Sequence, residues 1–229
     1  MTSSDVYTVL RRCSIVPVIV IDSEDSAEPL ADALLAGGIG CAEITFRTAA
    51  GQRAIRRIAD RDDFVVGAGT VVNADQVDRA VEAGARFVVS PGLGLDVVER
   101  AQQHGVAVFP GVASATEVQA AIGAGLSAVK LFPAEQLGGL ALINALAGPF
   151  PDMRFFPSGG IRPETARDYL DHPAVFAVGA SWIVPRADIA AGRFDRVEKL
   201  TRAAVTAMAS PARLPRTPHA AQQETPDAR

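Results

Sequence analysis

The chain has 229 residues, of which 48% are hydrophobic and 21% charged, and its formal net charge is −4. That length suits one large domain with a sizeable core, and the charge balance excludes a polybasic nucleic-acid surface and an acidic solvating tail. The longest apolar run, Ile15 to Ile21, is too short to span a bilayer, and the opening MTSSDVYTVLRR lacks the apolar core and cleavage site of a signal peptide. Neither nucleic acid nor membrane is expected as a partner, and the expected compartment is the cytoplasm.

Residues 2 to 12 read as a short helix. From Val16 onward, short β-branched or apolar runs alternate with longer amphipathic segments. The runs are VPVIVI from residue 16, CAEITF from 41, VVGAGT from 65, FVVS from 87, VAVFP from 106, AVKLF from 128, RFFPSG from 154 and VFAVG from 175. Runs without polar alternation fit parallel strands buried on both faces. Ala36-Gly37-Gly38, Ala83-Gly84, His104-Gly105 and Ala124-Gly125 each precede a run, and each supplies a glycine suited to ending a helix in the left-handed conformation. The pattern predicts an α/β fold, an eight-stranded parallel β/α (TIM) barrel over residues 1–208, with the N-terminal helix closing its bottom. A doubly wound sheet would more often carry GxGxxG after the first strand, and here that strand runs into Asp22-Ser23-Glu24-Asp25, an N-cap pattern. Pro17 leaves the start of the first strand uncertain, because proline removes a ladder donor. After the last predicted helix, residues 209–229 are rich in proline and alanine without an aromatic residue, and they read as a disordered tail.

Active sites of such barrels lie at the C-terminal ends of the strands. The polar or small residues expected there are Glu43, Thr45, Arg47, Thr70, Ser90, Pro91, Lys130, Ser158 to Gly160 and Gly179 to Ser181. Lys130 is one of two lysines, and it stands inside an apolar run, while Lys199 lies in a helical pattern. Desolvation disfavours an ammonium, so this setting favours a neutral amine able to attack a ketone. A lysine ion-paired within the core explains it equally well. Glu43, between Ala42 and Ile44, needs a partner, and Lys130 lies across the interior; the two are either a structural pair or a base and an amine. Arg47 shares the parity of Glu43 and must lean back from the rim. Ser158-Gly159-Gly160 and Gly179-Ala180-Ser181 end adjacent strands, where a phosphate is often held by backbone N–H groups. Thr70 read alone is a helix N-cap partner, Glu135 favours the first turn of the next helix, and Trp182 packs at the strand ends. His104, His172 and His219 reach no strand end, so imidazole ligation of a metal is not expected. Cys13 and Cys41 have no metal-ligand spacing and are expected as buried reduced thiols.

The motifs EITFRT (43 to 48), GAGTV (67 to 71), SPG (90 to 92), VKLFPAE (129 to 135), FPSGGI (156 to 161) and GASWIVP (179 to 185) resemble, in order, those of the 2-keto-3-deoxy-6-phosphogluconate aldolase family, also called 4-hydroxy-2-oxoglutarate aldolases. The resemblance runs from about Ile15 to Arg202. It implies a homotrimeric class I aldolase with no metal and no cofactor, acting on a phosphorylated 2-keto acid and releasing pyruvate. By that resemblance Lys130 forms the Schiff base and Glu43 is the general acid and base. Arg47, Thr70 and the backbone at Pro91 hold the carboxylate, Phe132 lines the pocket, and Gly159, Gly160, Gly179 and Ser181 bind the phosphate. Ser158 replaces a usual threonine linked to stereochemistry at C4, and Ala180 replaces a common glycine. A galactonate-specific relative, a phosphosugar isomerase or epimerase, and a binding barrel are the competing readings.

Overall fold

A computed structural model describes residues 2–209. Of the predicted tail, 209–229, only Ala209 is described, as the last residue of the helix Phe194–Ala209; the remainder lies outside the described residues. Among the described residues nine short parallel strands follow in order: β1 (Ile15–Ile19), β2 (Cys41–Thr45), β3 (Val65–Gly69), β4 (Phe87–Val89), β5 (Ala107–Phe109), β6 (Gly111–Val112), β7 (Ala128–Leu131), β8 (Arg154–Pro157) and β9 (Val178–Ala180). Each predicted run contains at least part of a strand, and helices fill most of the intervals between them. Gly38, Gly84, Gly105 and Gly125 all take positive φ, as their positions after helices demand.

The closed eight-stranded barrel does not form. Six strands make one parallel sheet in the order β5-β4-β3-β2-β1-β9, and β6-β7-β8 make a second sheet of three. Proline accounts for one break. The fifth predicted run reaches Pro110, which has no N–H, and the chain divides around it: β5 pairs with β4, while β6 pairs with β7. Pro110 contributes only its carbonyl, which accepts from the Lys130 N–H at 2.9 Å. The second break lies between β8 and β9. There Val175 makes an isolated bridge to Phe155, and the run 175–179 joins the ladder to β1 only from Val178. Pro17 changes the partners of β1 rather than ending it. Ile15 to Pro17 pair with β9, and Val18 and Ile19 pair with β2.

The N-terminal helix, Ser3–Cys13, begins with Thr2 and Asp5 exchanging hydrogen bonds in a capping box. Its Tyr7 ring lies 4.7 Å from that of Phe176. Phe176 in turn contacts Phe109 at 5.6 Å and Phe156 at 5.9 Å, and Phe109 meets Phe87 edge-on at 6.2 Å. These rings pack at distances typical of favourable aromatic pairs and carry the core from the helix to the neighbourhood of Lys130. Gly67 makes room for one of them, because a Cβ there would overlap the Phe87 ring. Among the described residues no helix is long and apolar enough to cross a membrane.

Candidate active site

Register and strand parity bring two ionisable side chains into the apolar interior. Glu43 is the third residue of β2 and 1% exposed; Lys130 is the third of β7 and 4% exposed. The Lys130 Nζ donates to Glu43 Oε1 at 3.3 Å and Oε2 at 3.5 Å. The two strands belong to different sheets, so the contact spans the interior between them. Phe132 lies 5.3 Å from Nζ by its ring centroid and Phe156 lies 6.0 Å away, within cation–π range. Lys199, by contrast, is exposed and paired with Asp195 one helical turn away.

Two glycines that the sequence did not single out as site residues shape this space. A Cβ on Gly69 would collide with the Glu43 carboxyl group. Glu43 is the register partner of Gly67, and its side chain passes over Gly69 toward the strand ends. Gly111 is the register partner of Lys130, and a Cβ there would overlap the Pro91 carbonyl. The bend after β4 therefore rests directly on the strand beside the lysine. GAG and FPGV carry these glycines in the sequence, but the need for them appears only once the strands are paired.

Arg47 lies on an exposed turn two residues beyond β2, and its Nε donates to Thr70 Oγ1 at 3.3 Å. Thr70 holds φ at 59°, an unusual conformation for a β-branched residue. The N-cap role belongs to Asn73, whose side chain accepts from the Gln76 N–H. Thr45 is consumed in packing, its buried hydroxyl donating to the Ile19 carbonyl at 2.8 Å. Ser90 likewise closes its own turn by donating to the Gly92 carbonyl. Phe132 is joined to Pro133 by a cis peptide bond.

The two small-residue loops meet. A Cβ on Gly179 would overlap the buried Ser158 side chain, so the end of β9 and the segment after β8 pack against each other. Gly159 and Gly160 have φ of 95° and 82°. The carbonyls of Ser158 and Gly159 accept from the N–H groups of Ala134 and Glu135, which ties this loop to the segment after β7. Ser181 is exposed beyond β9, whereas Ala180 is buried in the sheet opposite Pro17, with its methyl group inside the fold. Glu135 has a more specific partner than a helix dipole. The Tyr169 hydroxyl donates to it at 2.8 Å, and burial together with this carboxylate raises the phenol well above its ordinary range. Trp182 is partly buried against the core. His104 and His172 are engaged at helix ends, by Asp78 and Asn144. Among the described residues no three His, Cys, Asp or Glu side chains are grouped to hold a metal ion.

The arrangement offers an amine beside a carboxylate, an arginine at one rim and two small-residue loops packed together at another. A family model described as KDPG and KHG aldolase matches residues 6–200. The 2-dehydro-3-deoxy-phosphogluconate aldolase of Treponema pallidum is 46% identical over 198 residues, which are 86% of this chain and 94% of that protein. Among solved structures, the 2-keto-3-deoxy-6-phosphogluconate aldolase of Zymomonas mobilis with 3-phosphoglycerate aligns with a TM-score of 0.81 and 41% identity, over 88% of this chain and 95% of that one. The KDPG aldolase of Legionella pneumophila, with pyruvate captured as a covalent carbinolamine, aligns with a TM-score of 0.83 and 38% identity, over 86% and 97%.

Replacing Gly69 by alanine forces the Glu43 carboxyl group away from Lys130. The expected outcome is a loss of about 1–3 kcal/mol in urea unfolding, as for other overpacked interiors. An unchanged stability would show that Glu43 can repack freely.

Proposed function

The chain belongs to the KDPG and KHG aldolase family, and on that premise we propose that it cleaves 2-keto-3-deoxy-6-phosphogluconate to pyruvate and glyceraldehyde 3-phosphate through a Schiff base on Lys130. The observation that carries this reading is the buried 3.3 Å contact of Lys130 with Glu43. A lone buried lysine needs a partner whatever its task, but a carboxylate at this distance is also placed to accept the proton that an attacking amine must shed. The named pyruvate carbinolamine of the Legionella relative is the species such an attack on a ketone gives.

In the proposed sequence Lys130 attacks the C2 carbonyl, and Glu43 shuttles the protons that release the carbinolamine oxygen as water. The resulting iminium is an electron sink. Glu43 then takes the C4 hydroxyl proton, the C3–C4 bond breaks, and its electron pair passes into the iminium to give an enamine. The aldehyde departs; the enamine gains a proton at C3, and hydrolysis frees pyruvate and the amine. Arg47, fixed against Thr70, together with the Pro91 backbone, is proposed to hold the substrate carboxylate. Phe132 flanks the reacting carbons. Ser158, Gly159, Gly160, Gly179 and Ser181 are proposed to receive the phosphate at the far end, where small residues let backbone N–H groups approach it. 4-Hydroxy-2-oxoglutarate, which lacks a phosphate, would use only the first half of this site and yield glyoxylate with pyruvate.

Borohydride added with pyruvate is expected to attach an irreversible adduct to Lys130, detectable by peptide mass, and Lys130→Ala should abolish it. An adduct on Lys199 alone, or none at all, overturns the reading. Glu43→Gln should still be trapped, with cleavage slowed by about 10²- to 10⁴-fold, the usual contribution of a positioned acid or base. Full activity in that variant removes Glu43 from the chemistry.

Ser158 keeps the hydroxyl expected at its position and lacks a methyl group. We propose a preference for the gluconate over the galactonate epimer. Faster cleavage of the galactonate compound would reverse that assignment. A homotrimer is proposed by family resemblance, and sedimentation should return the mass of three chains; a monomer mass refutes it.

A further inference from the structure

Tyr169 stands in the last turn of the helix Pro163–Leu170, which begins shortly after the Ser158–Gly160 segment. Side chains on a helix lean toward its N-terminus, and this one reaches back to the loop after β7, where its hydroxyl donates to Glu135 Oε1 at 2.8 Å. Tyr169 is 2% exposed, whereas Glu135 is half-buried. The hydroxyl fills the space that a Cβ on Gly139 would need, so the turn after Glu135 closes around it.

The two glycines of the neighbouring loop rest on the same glutamate. Its N–H donates to the Gly159 carbonyl at 3.1 Å, and the Ala134 N–H donates to the Ser158 carbonyl at 2.9 Å. A Cβ on Gly160 would overlap the Glu135 Cβ and Cγ. In a trans peptide the C=O and N–H point to opposite sides, and both peptides here are trans. Since both carbonyls face the segment after β7, the N–H groups of Gly159 and Gly160, which share those peptides, point away from it. Among the described residues neither N–H has an acceptor.

We propose that Glu135 and Tyr169 are positioning residues for phosphate recognition, setting the N–H groups of Gly159 and Gly160 for a phosphoryl group and so favouring phosphorylated over unphosphorylated 2-keto acids. The inference rests on the aldolase reading and names what tunes its substrate range. The Glu135 backbone fixes one peptide of the loop, its side-chain stem supports Gly160, and its carboxyl end is anchored by a buried hydroxyl. A carboxylate left free beside an anion site would repel the anion or compete for the same N–H groups. The Tyr169 hydroxyl holds Oε1 on the helix side instead. Lys130 pairs with Glu43 elsewhere in the interior, so the chemical step is separate from this brace.

Tyr169→Phe removes the hydroxyl alone. Steady-state cleavage by the whole chain should be measured with 2-keto-3-deoxy-6-phosphogluconate and with 4-hydroxy-2-oxoglutarate. The expected result is a rise of about 10-fold in KM for the phosphorylated compound, the scale of one hydrogen bond to a charged group, with kcat within about 2-fold. Both constants for the unphosphorylated compound should stay unchanged, as should the pyruvate concentration that half-saturates borohydride trapping. Glu135→Gln keeps an acceptor oxygen and should retain the wild-type KM, whereas Glu135→Ala should raise it for the phosphorylated compound alone. An unchanged KM for that compound in Tyr169→Phe, or an equal change for the two substrates, overturns the proposal. Should that variant fail to fold, the same two outcomes in Glu135→Ala decide. Absence of pyruvate trapping in the wild type is a failure of the aldolase reading; trapping and cleavage by the wild type, with Tyr169→Phe indifferent to phosphate, is a failure of this inference alone.

Discussion

An ammonium and a carboxylate held together in an apolar interior set the terms for the rest of this molecule. Removing either from water carries a penalty of several kcal/mol, and only close contact with the opposite charge and further polarisable groups offsets it. Glu43 and Lys130 meet that condition with one bifurcated contact and two aromatic rings above the amine. The surrounding sequence then loses freedom. Gly69 must have no side chain because the carboxyl group occupies its place, and Gly111 must have none because a turn lies over it. Small residues around a buried charge are here a consequence of crowding.

The same economy holds at the strand ends. Each loop that could receive part of a substrate is bound to another loop: Arg47 to Thr70, the Ser158–Gly160 segment to Ala134 and Glu135, and Gly179 to Ser158. Tyr169 extends this ring from the helix behind it by holding Glu135. Such mutual bracing fixes positions before a ligand arrives, which is the structural basis of preorganisation.

Much of this was legible in the amino-acid order. Largely apolar runs marked every strand but β6, glycines marked the helix ends, and the single lysine in such a run pointed to the candidate site. The partition into two sheets was not legible, because an apolar run announces a buried strand without naming its neighbours. Pro110 carried the warning, yet a proline at the end of VAVFP reads as a stop, whereas in the fold the chain resumes as a strand of the other sheet. Pro17 drew attention as an irregularity, and its actual effect, a change of partner within one strand, needs the register to be seen. Gly69 and Gly111 were hidden for the same reason: their constraint comes from side chains and backbone on other elements. Thr70 gave no sign of its backbone conformation, since threonine is the wrong residue to expect there.

The division into two sheets also bears on how the chain is assembled as it is made. Glu43 and Lys130 are 87 residues apart in sequence, and they come from different sheets. The larger sheet is itself incomplete until β9 arrives to flank β1, after the entire smaller sheet has been synthesised. A ribosome that has delivered Glu43 and its neighbouring strands has therefore delivered a carboxylate without its counterion and a sheet with an open edge. The contact between the buried carboxylate and its ammonium therefore cannot form before β7 has been made, and the larger sheet keeps an open edge at β1 until β9 follows.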